Sequence, residues 1–150
     1  MVTVDCSFEL DCNEKKFFKI LTDYENLSKY LPRHLQKLEI LDEHDNYTTI
    51  KTAVFARSLI KKAFSQEMKI EKKSENNLSV ELLDGFAKGS HVTISTQMQK
   101  EKTVCDVNLD IKLSLKTAIL YPIIKRECRS FLLGIFTKMS IDAKQAKEEF

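Results

Sequence analysis

The chain contains 150 residues, of which 43% are hydrophobic and 31% charged. A chain of this length is expected to form a single domain over residues 1–150, with about 70% of its unfolded surface buried and no need of disulfide bonds. Basic and acidic side chains number 24 and 22 and leave a formal charge of +2. Because nucleic-acid-binding domains usually carry a basic face and a pI above about 9, no nucleic-acid partner is expected.

The four cysteines, at Cys6, Cys12, Cys105 and Cys128, are dispersed without a C-x-x-C pair. Reduced thiols at apolar positions are the favoured interpretation, and disulfide bonds are the less favoured alternative. The first residues show neither the basic stretch nor the apolar run of a signal peptide. The longest apolar runs fall well short of the roughly 20 residues that span a bilayer. These features predict a soluble, cytoplasmic protein, and its oligomeric state is left open.

The chain begins with a predicted strand and two short predicted helices. Apolar and polar residues alternate over residues 2–10, which is typical of a strand with one buried face. Asp11 and Glu14 have the spacing of a capping box, and residues 17–21 follow with helical periodicity. A second short helix is predicted over residues 24–31 and ends before a proline. Asp23 between them is interpreted as its cap, with a ligand contact as the alternative.

About six further strands are predicted before residue 116, because β-branched and aromatic residues alternate with polar ones. Charged or glycine-containing turns are predicted at residues 42–46, 72–77 and 85–89. The last strand has the most regular alternation and is predicted to run to Leu115. Short sequential hairpins favour an antiparallel sheet with one wet and one packed face.

A long helix is predicted over residues 122–147, since apolar residues recur at steps of three and four. Pro122 suits its first turn, where a missing N–H would be unpaired anyway. The element order predicts an α+β fold in which a curved antiparallel sheet of about seven strands wraps around this helix. The functional site is expected between the two. The apolar stripe of the helix consists of Ile124, Cys128, Phe131, Leu132, Ile135, Met139 and Ala143.

The segment after the first strand resembles the START-like (SRPBCC, helix-grip) superfamily. The resemblance is carried by residues 17–21 and by Asp23, Tyr30, Leu31 and Pro32, placed before a long hairpin sheet. Within the superfamily the sequence is most similar to the polyketide cyclase/dehydrase group and the coenzyme Q-binding proteins. It departs from the plant allergen relatives, because it has only three glycines and no glycine-rich loop, and it has no tryptophan.

The resemblance implies a helix-grip fold whose cavity, between sheet and last helix, binds a lipid, quinone, sterol or polyketide. Polar residues on the inward parity, Thr52, Gln66 and Thr96, are candidates for the ligand's polar end, with bonds to water or backbone as the alternative. The apolar candidates can equally be core, and Tyr24 and Tyr30 can stand half-buried at the cavity mouth. The expected wall comprises Tyr24, Leu27, Tyr30, Val54, Phe64, Gln66, Met68, Val80, Leu82, Ile94, Thr96, Leu109, Phe131, Ile135 and Met139.

No catalytic residue, metal ligand or cofactor is predicted. His34, His44 and His91 have no partner at metal-ligand spacing, and nucleophile-elbow, P-loop and dinucleotide motifs are absent. The lysine pairs 61–62 and 72–73 are interpreted as solvated hairpin ends, with a transient membrane contact as the alternative.

The favoured hypothesis is therefore storage, transport or presentation of a hydrophobic small molecule. The resemblance leaves two alternatives open: a polyketide cyclase or aromatase, which needs an acid or base in the cavity, and an interaction module like the superfamily members proposed to act in ribosome association.

Overall fold

The structure, a computed structural model, describes residues 2–31, 35–55, 63–85 and 87–145, and at 35–37, 53–55 and 63–65 it describes the backbone alone. Pro32, His34 and the lysine pair 61–62 therefore fall outside the described residues. Within these ranges the strands are β1 (Val2–Leu10), β2 (Leu35–Glu43), β3 (Tyr47–Phe55), β4 (Ala63–Ser74), β5 (Asn77–Leu82), β6 (His91–Gln99) and β7 (Lys102–Ile111). The helices are α1 (Glu14–Leu21), the 3-10 helices η1 (Tyr24–Tyr30) and η2 (Leu115–Leu120), and α2 (Tyr121–Gln145).

The described strands form one antiparallel sheet of seven strands in the order β1-β7-β6-β5-β4-β3-β2. Consecutive strands from β2 to β7 are neighbours, and β1 joins the sheet beside β7. The predicted α+β architecture, with a long C-terminal helix and short helices after β1, is confirmed. The alternation predicted for β1 and β7 is also confirmed, because Cys6, Phe8 and Leu10 are buried while Ser7 and Glu9 are exposed.

The cap of α1 differs from the predicted capping box. Asn13, in extended conformation, is the N-cap, and its side chain accepts a hydrogen bond from the N–H of Lys16 at 3.1 Å. Asp11 instead accepts a bond from Lys144 at 2.7 Å, and this cation lowers the pKa of Asp11. The box prediction was wrong because Asp11 and Asn13 are both suitable N-cap residues, and the helix starts one residue after Asn13.

The second short helix is the 3-10 helix η1, with Asp23 at its N-cap position. The Asp23 carboxylate accepts a hydrogen bond from the side chain of Asn26 at 2.7 Å and makes no cap bond to the backbone. The helix ends at Leu31, whose backbone is extended, as expected for a residue before proline. Asp23 is thus positioned as a cap but bonds a side chain.

The core lies where β1, α1 and the C-terminal half of α2 meet. Phe136 of α2 makes edge-to-face contacts with Phe8 and Phe17, at ring-centroid distances of 5.4 and 5.8 Å. Met139 and Ala143, one and two turns later, are also buried. Such contacts fix the crossing of α2 over β1 through close packing of large rings. The other half of α2 lacks this burial, since its buried residues are Ile135, Phe136, Met139, Ser140 and Ala143.

All four cysteines are free, and Cys6, Cys12 and Cys105 are buried. Burial, reinforced by Asp106, raises the pKa of Cys105 to about 12. Burial also raises the pKa of Cys128 on α2, and the neighbouring thiol of Cys6 on β1 adds to this effect. These cysteines act as small apolar side chains in the neutral form.

The last strand is shorter than predicted. β7 ends at Ile111, residues 112–114 are in neither a strand nor a helix, and Leu115 is the first residue of η2. The N–H of Leu113 donates a hydrogen bond to the Tyr121 hydroxyl at 2.8 Å, which turns the chain toward α2. Leu115, predicted on the buried face of the strand, is 98% exposed.

Candidate functional site

The inner face of the sheet changes from buried to half-buried between two adjacent rows of cross-strand neighbours. Cys6, Val107, Ile94 and Leu78 are aligned across β1, β7, β6 and β5, and all are buried. Two residues further along each strand, on the same face, lies a second row whose side chains are only half-buried. This half-buried row consists of Val4, Leu109, Val92 and Val80.

On β4 the row continues to Ile70, which faces Val80 and is buried, while Met68 and Leu82, the next facing pair of β4 and β5 on this side, are half-buried. Apolar side chains on the concave face of a sheet are normally covered by the opposite layer. Here the cover is incomplete. On the inner face the buried row is therefore followed, on β1, β7, β6 and β5, by a half-buried apolar row, while Ile70 and Ile111 beside that row are buried.

The opposite wall is the N-terminal half of α2. Cys128 lies beside Cys6, and both Cys128 and Leu132 are half-buried against the core. Ile124, one turn before Cys128, is also half-buried. Since Phe136 packs on Phe8 and Cys128 lies beside Cys6, the helix runs along β1 toward Val4. The less buried half of α2 therefore extends along β1, the strand that carries Val4 of the half-buried row. The space between this half of the helix and the row is the candidate cavity.

The helix η1 closes the side of the cavity near β2. Tyr24 and Leu27 are half-buried and pack against the core, as does Leu38 of β2. Burial raises the pKa of Tyr24, with a further contribution from the Glu43 carboxylate. Tyr24 thus keeps its hydroxyl proton at neutral pH and can donate a hydrogen bond.

Gln66, predicted to meet a ligand, fastens the connection between β5 and β6. Its side-chain amide donates hydrogen bonds to the carbonyl oxygen and the carboxylate of Asp84, at 2.8 and 3.1 Å. The same carboxylate accepts a bond from the N–H of Glu67 at 2.9 Å. Gly85 follows with φ of +79°, and a Cβ there would lie 3.0 Å from the Gln66 oxygen. The buried amide of Gln66 is therefore already used by the protein.

Thr96 holds the start of α1 to the sheet. Its hydroxyl, almost fully buried, donates a hydrogen bond to the Glu14 carboxylate at 2.7 Å. Its backbone is bonded on both sides to Asn76. Like Gln66, Thr96 is a predicted ligand contact whose polar group has an internal partner.

Thr52 is the third predicted inward polar residue, and it differs from the other two. It is buried on β3 between Leu38 and Gln66 of the neighbouring strands. In the described ranges its hydroxyl has no hydrogen-bond partner. A hydroxyl without a protein partner on this face is available to a ligand or to water.

Neither a family model nor a curated protein sequence matches the chain. Its fold does match solved structures over almost the whole length. A START superfamily protein from Mycobacterium smegmatis has a TM-score of 0.75 at 14% identity, covering 95% of this chain and 97% of the other. The Zhui aromatase/cyclase from Streptomyces sp. R1128 has a TM-score of 0.73 at 10% identity, with 94% of each chain covered. The chain has the START-like, helix-grip fold.

A further helix-grip structure is norcoclaurine synthase from Thalictrum flavum in complex with dopamine and hydroxybenzaldehyde. It has a TM-score of 0.74 at 14% identity, and the match covers 97% of this chain and 89% of the other. Identities at this level show a shared fold and leave the chemistry to the residues of each chain.

Several predicted wall residues belong to the core of this helix-grip fold. Ile94, Ile135 and Met139 are buried. Tyr30 is also buried, and its hydroxyl donates a hydrogen bond to Asp142 near the end of α2 at 2.7 Å. Burial and the Asp142 carboxylate raise the pKa of Tyr30 far above its usual range. Tyr30, Ile135 and Met139 lie at the packed C-terminal half of α2, and Ile94 lies in the buried row next to the half-buried row.

The predicted wall residues that are half-buried in the structure are Tyr24, Leu27, Met68, Val80, Leu82 and Leu109. Phe131 is 40% exposed, and its neighbour Leu132 packs inward instead. Val54 and Phe64 face each other across β3 and β4, but their side chains fall outside the described residues.

Other half-buried apolar residues that pack against the core were not predicted as wall, namely Val4, Leu38, Val92, Cys128 and Leu132. The sequence pattern already indicated that these side chains face inward. Val4 and Val92 share the parity of Cys6 and Ile94, and Cys128 and Leu132 lie on the predicted apolar stripe of the helix.

Across the described residues, no three His, Cys, Asp or Glu side chains form a group that could hold a metal ion. Within the same described ranges, no helix has the length and apolarity needed to cross a membrane.

Proposed function

We propose that this chain binds a hydrophobic small molecule, such as a lipid, quinone or polyketide, between the half-buried row and the N-terminal half of α2. The observation that carries the proposal is the change in burial between two adjacent rows on one sheet face. The side chains of the row that includes Ile94 and Leu78 are buried, whereas those of the row that includes Val92 and Val80 are only half-buried. An uncovered apolar surface inside a fold gains free energy when an apolar ligand covers it.

The size of the gain suits a small ligand. A ligand that removes about 200 Å² of apolar surface from water gains roughly 5 kcal/mol, before the costs of immobilising it. Van der Waals contact with both walls adds to this figure, because the cavity has apolar residues on the sheet and on the helix.

The polar groups of the wall favour a ligand with a polar end. The Thr52 hydroxyl and the Tyr24 hydroxyl stand on the β3 and η1 side of the cavity, away from the row formed by β1, β7, β6 and β5. A few polar groups beside a largely apolar wall orient a ligand without supplying most of the affinity. Quinones, fatty acids and polyketides all combine an apolar body with such an end.

The ionisable groups of the wall support binding over conversion. The pKa of Tyr24 and the pKa of Cys128 are both raised, mainly by burial. Both side chains are therefore neutral hydrogen-bond donors at physiological pH, and neither is a base or a nucleophile in that form. Cyclase activity of the aromatase/cyclase kind remains the alternative function, because a START-like neighbour carries that activity in its name.

The test compares two variants of neighbouring residues on β6: one that fills the proposed cavity with a larger side chain, and a matched control that points away from it. Val92 faces the cavity and is half-buried, while the next residue, Thr93, faces outward and is exposed. Native mass spectrometry of purified wild-type protein, followed by organic extraction, is expected to show a bound hydrophobic compound. Val92→Phe is expected to lose the compound and Thr93→Phe to retain it.

Stability provides a second readout of the same pair. Phe at position 92 fits if the space is open, whereas overpacking a filled core costs about 1–3 kcal/mol. Wild-type protein without any bound compound, and without a thermal shift against a panel of lipids and quinones, would contradict the proposal. Turnover of a polyketide chain would assign the cyclase function instead, and specific capture of a protein partner by an empty domain would favour the interaction module.

A further inference from the structure

The helix η2 exposes two large apolar side chains almost completely. Leu115 is 98% exposed and Ile119 is 80% exposed, within a helix of six residues. Scattered exposed apolar residues are normal on a protein surface, but most retain partial cover from their neighbours. Side chains this open in one short element lack a folding role and are free to contact another surface.

Basic side chains predominate around η2, and one of them, Arg126, is ion-paired with Glu127 at 2.9 Å. Residues 112–126 contain Lys112, Lys116, Lys125 and Arg126 and no aspartate or glutamate. The whole chain has a formal charge of only +2, so the remainder of the chain is net negative. The basic charge is therefore concentrated in the segment that also carries the exposed Leu115 and Ile119.

The position of η2 is held by hydrogen bonds on both sides. The Tyr121 hydroxyl accepts a bond from the N–H of Leu113 at 2.8 Å, at the junction with α2. Ser90 exchanges two bonds with the backbone of Lys112, at 2.8 and 3.2 Å, at the junction with β7. The helix thus presents its apolar side chains outward from a fixed base.

This base lies at the open end of the cavity. η2 begins four residues after Ile111, the end of β7, and Leu109 of the half-buried row precedes Ile111 by two residues. α2, whose first half forms the opposite wall, starts directly after η2. The exposed apolar side chains and the basic segment therefore stand beside the cavity mouth.

We propose that η2, with the basic side chains of residues 112–126, is a docking surface for an anionic lipid bilayer. Leu115 and Ile119 would enter the interface between headgroups and acyl chains, while the lysines and the arginine contact anionic headgroups. The proposal rests on the proposed function, because docking here brings the cavity mouth to the bilayer and lets an apolar ligand pass without crossing water.

Charge and area favour a bilayer over a second protein chain. A stable protein interface usually buries about 1,200–2,000 Å², much more than two aliphatic side chains supply. A bilayer needs only a few inserted side chains together with several basic residues. The other lysine pair, Lys72 and Lys73, already has contacts within the protein, because Lys72 lies over the Phe18 ring at 5.6 Å and Lys73 pairs with Glu71.

The experiment is co-sedimentation of the full chain with vesicles of phosphatidylcholine alone and of equal parts phosphatidylcholine and phosphatidylglycerol. Wild-type protein is expected to bind the anionic vesicles more strongly, with binding that weakens as salt is raised. Leu115→Ser/Ile119→Ser and Lys116→Gln/Lys125→Gln are each expected to lower vesicle binding about tenfold. Ile141→Ser, at an apolar side chain 51% exposed elsewhere on α2, and Lys72→Gln/Lys73→Gln are the matched controls and are expected to bind like wild type.

Three outcomes would overturn the inference: no binding of wild-type protein to anionic vesicles, equal binding by the η2 variants and the controls, or a wild-type dimer in light scattering that Leu115→Ser/Ile119→Ser converts to monomer. The two proposals fail separately. A compound retained in the cavity without vesicle binding refutes docking alone, and vesicle binding by a protein that holds no compound refutes the proposed function alone.

Discussion

The two halves of α2 should respond differently to truncation. Phe136 is 2% exposed and touches the rings of Phe8 and Phe17. Leu132, one turn earlier, is half-buried beside the cavity. We compare Phe136→Ala with Leu132→Ala because both changes remove a large apolar side chain from the same helix, one from the core and the other from the cavity wall.

The expected losses follow from burial. Phe136→Ala removes a fully packed ring and is expected to lower the free energy of unfolding by about 3–5 kcal/mol, including two edge-to-face contacts of about 0.5–1.5 kcal/mol each. Leu132→Ala removes three carbon atoms that are partly hydrated already, so about 1 kcal/mol is expected. Leu132→Ala leaves no new void in a packed region, since the space beside it is open.

Urea unfolding followed by circular dichroism measures both values, with the denaturant slope as a check on two-state behaviour. Anilinonaphthalene sulfonate is an anionic dye that becomes fluorescent in apolar surroundings. Its fluorescence measures cavity binding at urea concentrations where both variants are folded. Phe136→Ala is expected to keep the dye site and Leu132→Ala to weaken it. If Leu132→Ala cost as much as Phe136→Ala, the N-terminal half of α2 would be packed core and the cavity assignment would fail.

Further predictions concern the core, the polar contacts and the helix cap. Burial raises the pKa of Cys105 to about 12 from a usual value of 9.0, so its stabilising effect is complete below about pH 9 and is lost as the pH rises toward 12. Urea midpoints at about pH 8 and about pH 11 should therefore differ more in wild type than in Cys105→Ala. Thr96→Val removes a charge-assisted hydrogen bond and is expected to lower the free energy of unfolding by about 1.5–3 kcal/mol. The Thr52 hydroxyl has no protein partner in the described ranges, so Thr52→Val is expected to cost less than about 1 kcal/mol while weakening the binding of a ligand with a polar end. Equal losses of the two variants in urea unfolding would contradict this difference. Asn13→Ala should cost about 1 kcal/mol as the loss of a helix cap, and Asp11→Asn should leave the urea midpoint unchanged; the reverse order would restore the predicted capping box.

Local sequence patterns correctly predicted much of the architecture. The alternation in β1 and β7 is local, because successive side chains of a strand point to opposite faces. It therefore predicted correctly that Phe8 and Val107 face the core. The three- and four-residue steps of α2 likewise predicted which side of the helix faces the sheet, since Ile135 and Met139 are buried.

The end of β7 could not be predicted locally. Leu113 and Leu115 continue the alternation, yet the strand stops at Ile111. The reason lies in the neighbours: Ile111 pairs with Val2, the first residue of β1, and β6 starts opposite Asp110. Beyond Ile111 the described strands offer no partner for the backbone, so the chain leaves the sheet and its apolar residues become exposed in η2.

The sequence by itself determined the order of strands and helices and the parity of each strand, because these depend on neighbouring residues along the chain. The alternation places Val92 and Ile94 on the same face and contains nothing that distinguishes the burial of one from the burial of the other. Only the tertiary structure separates them: α2 packs closely along β1 near Phe8 and leaves the row of Val92 half-covered. Whether an inward apolar residue is core or cavity wall depends on what lies above it, and that layer comes from a part of the chain far away in sequence.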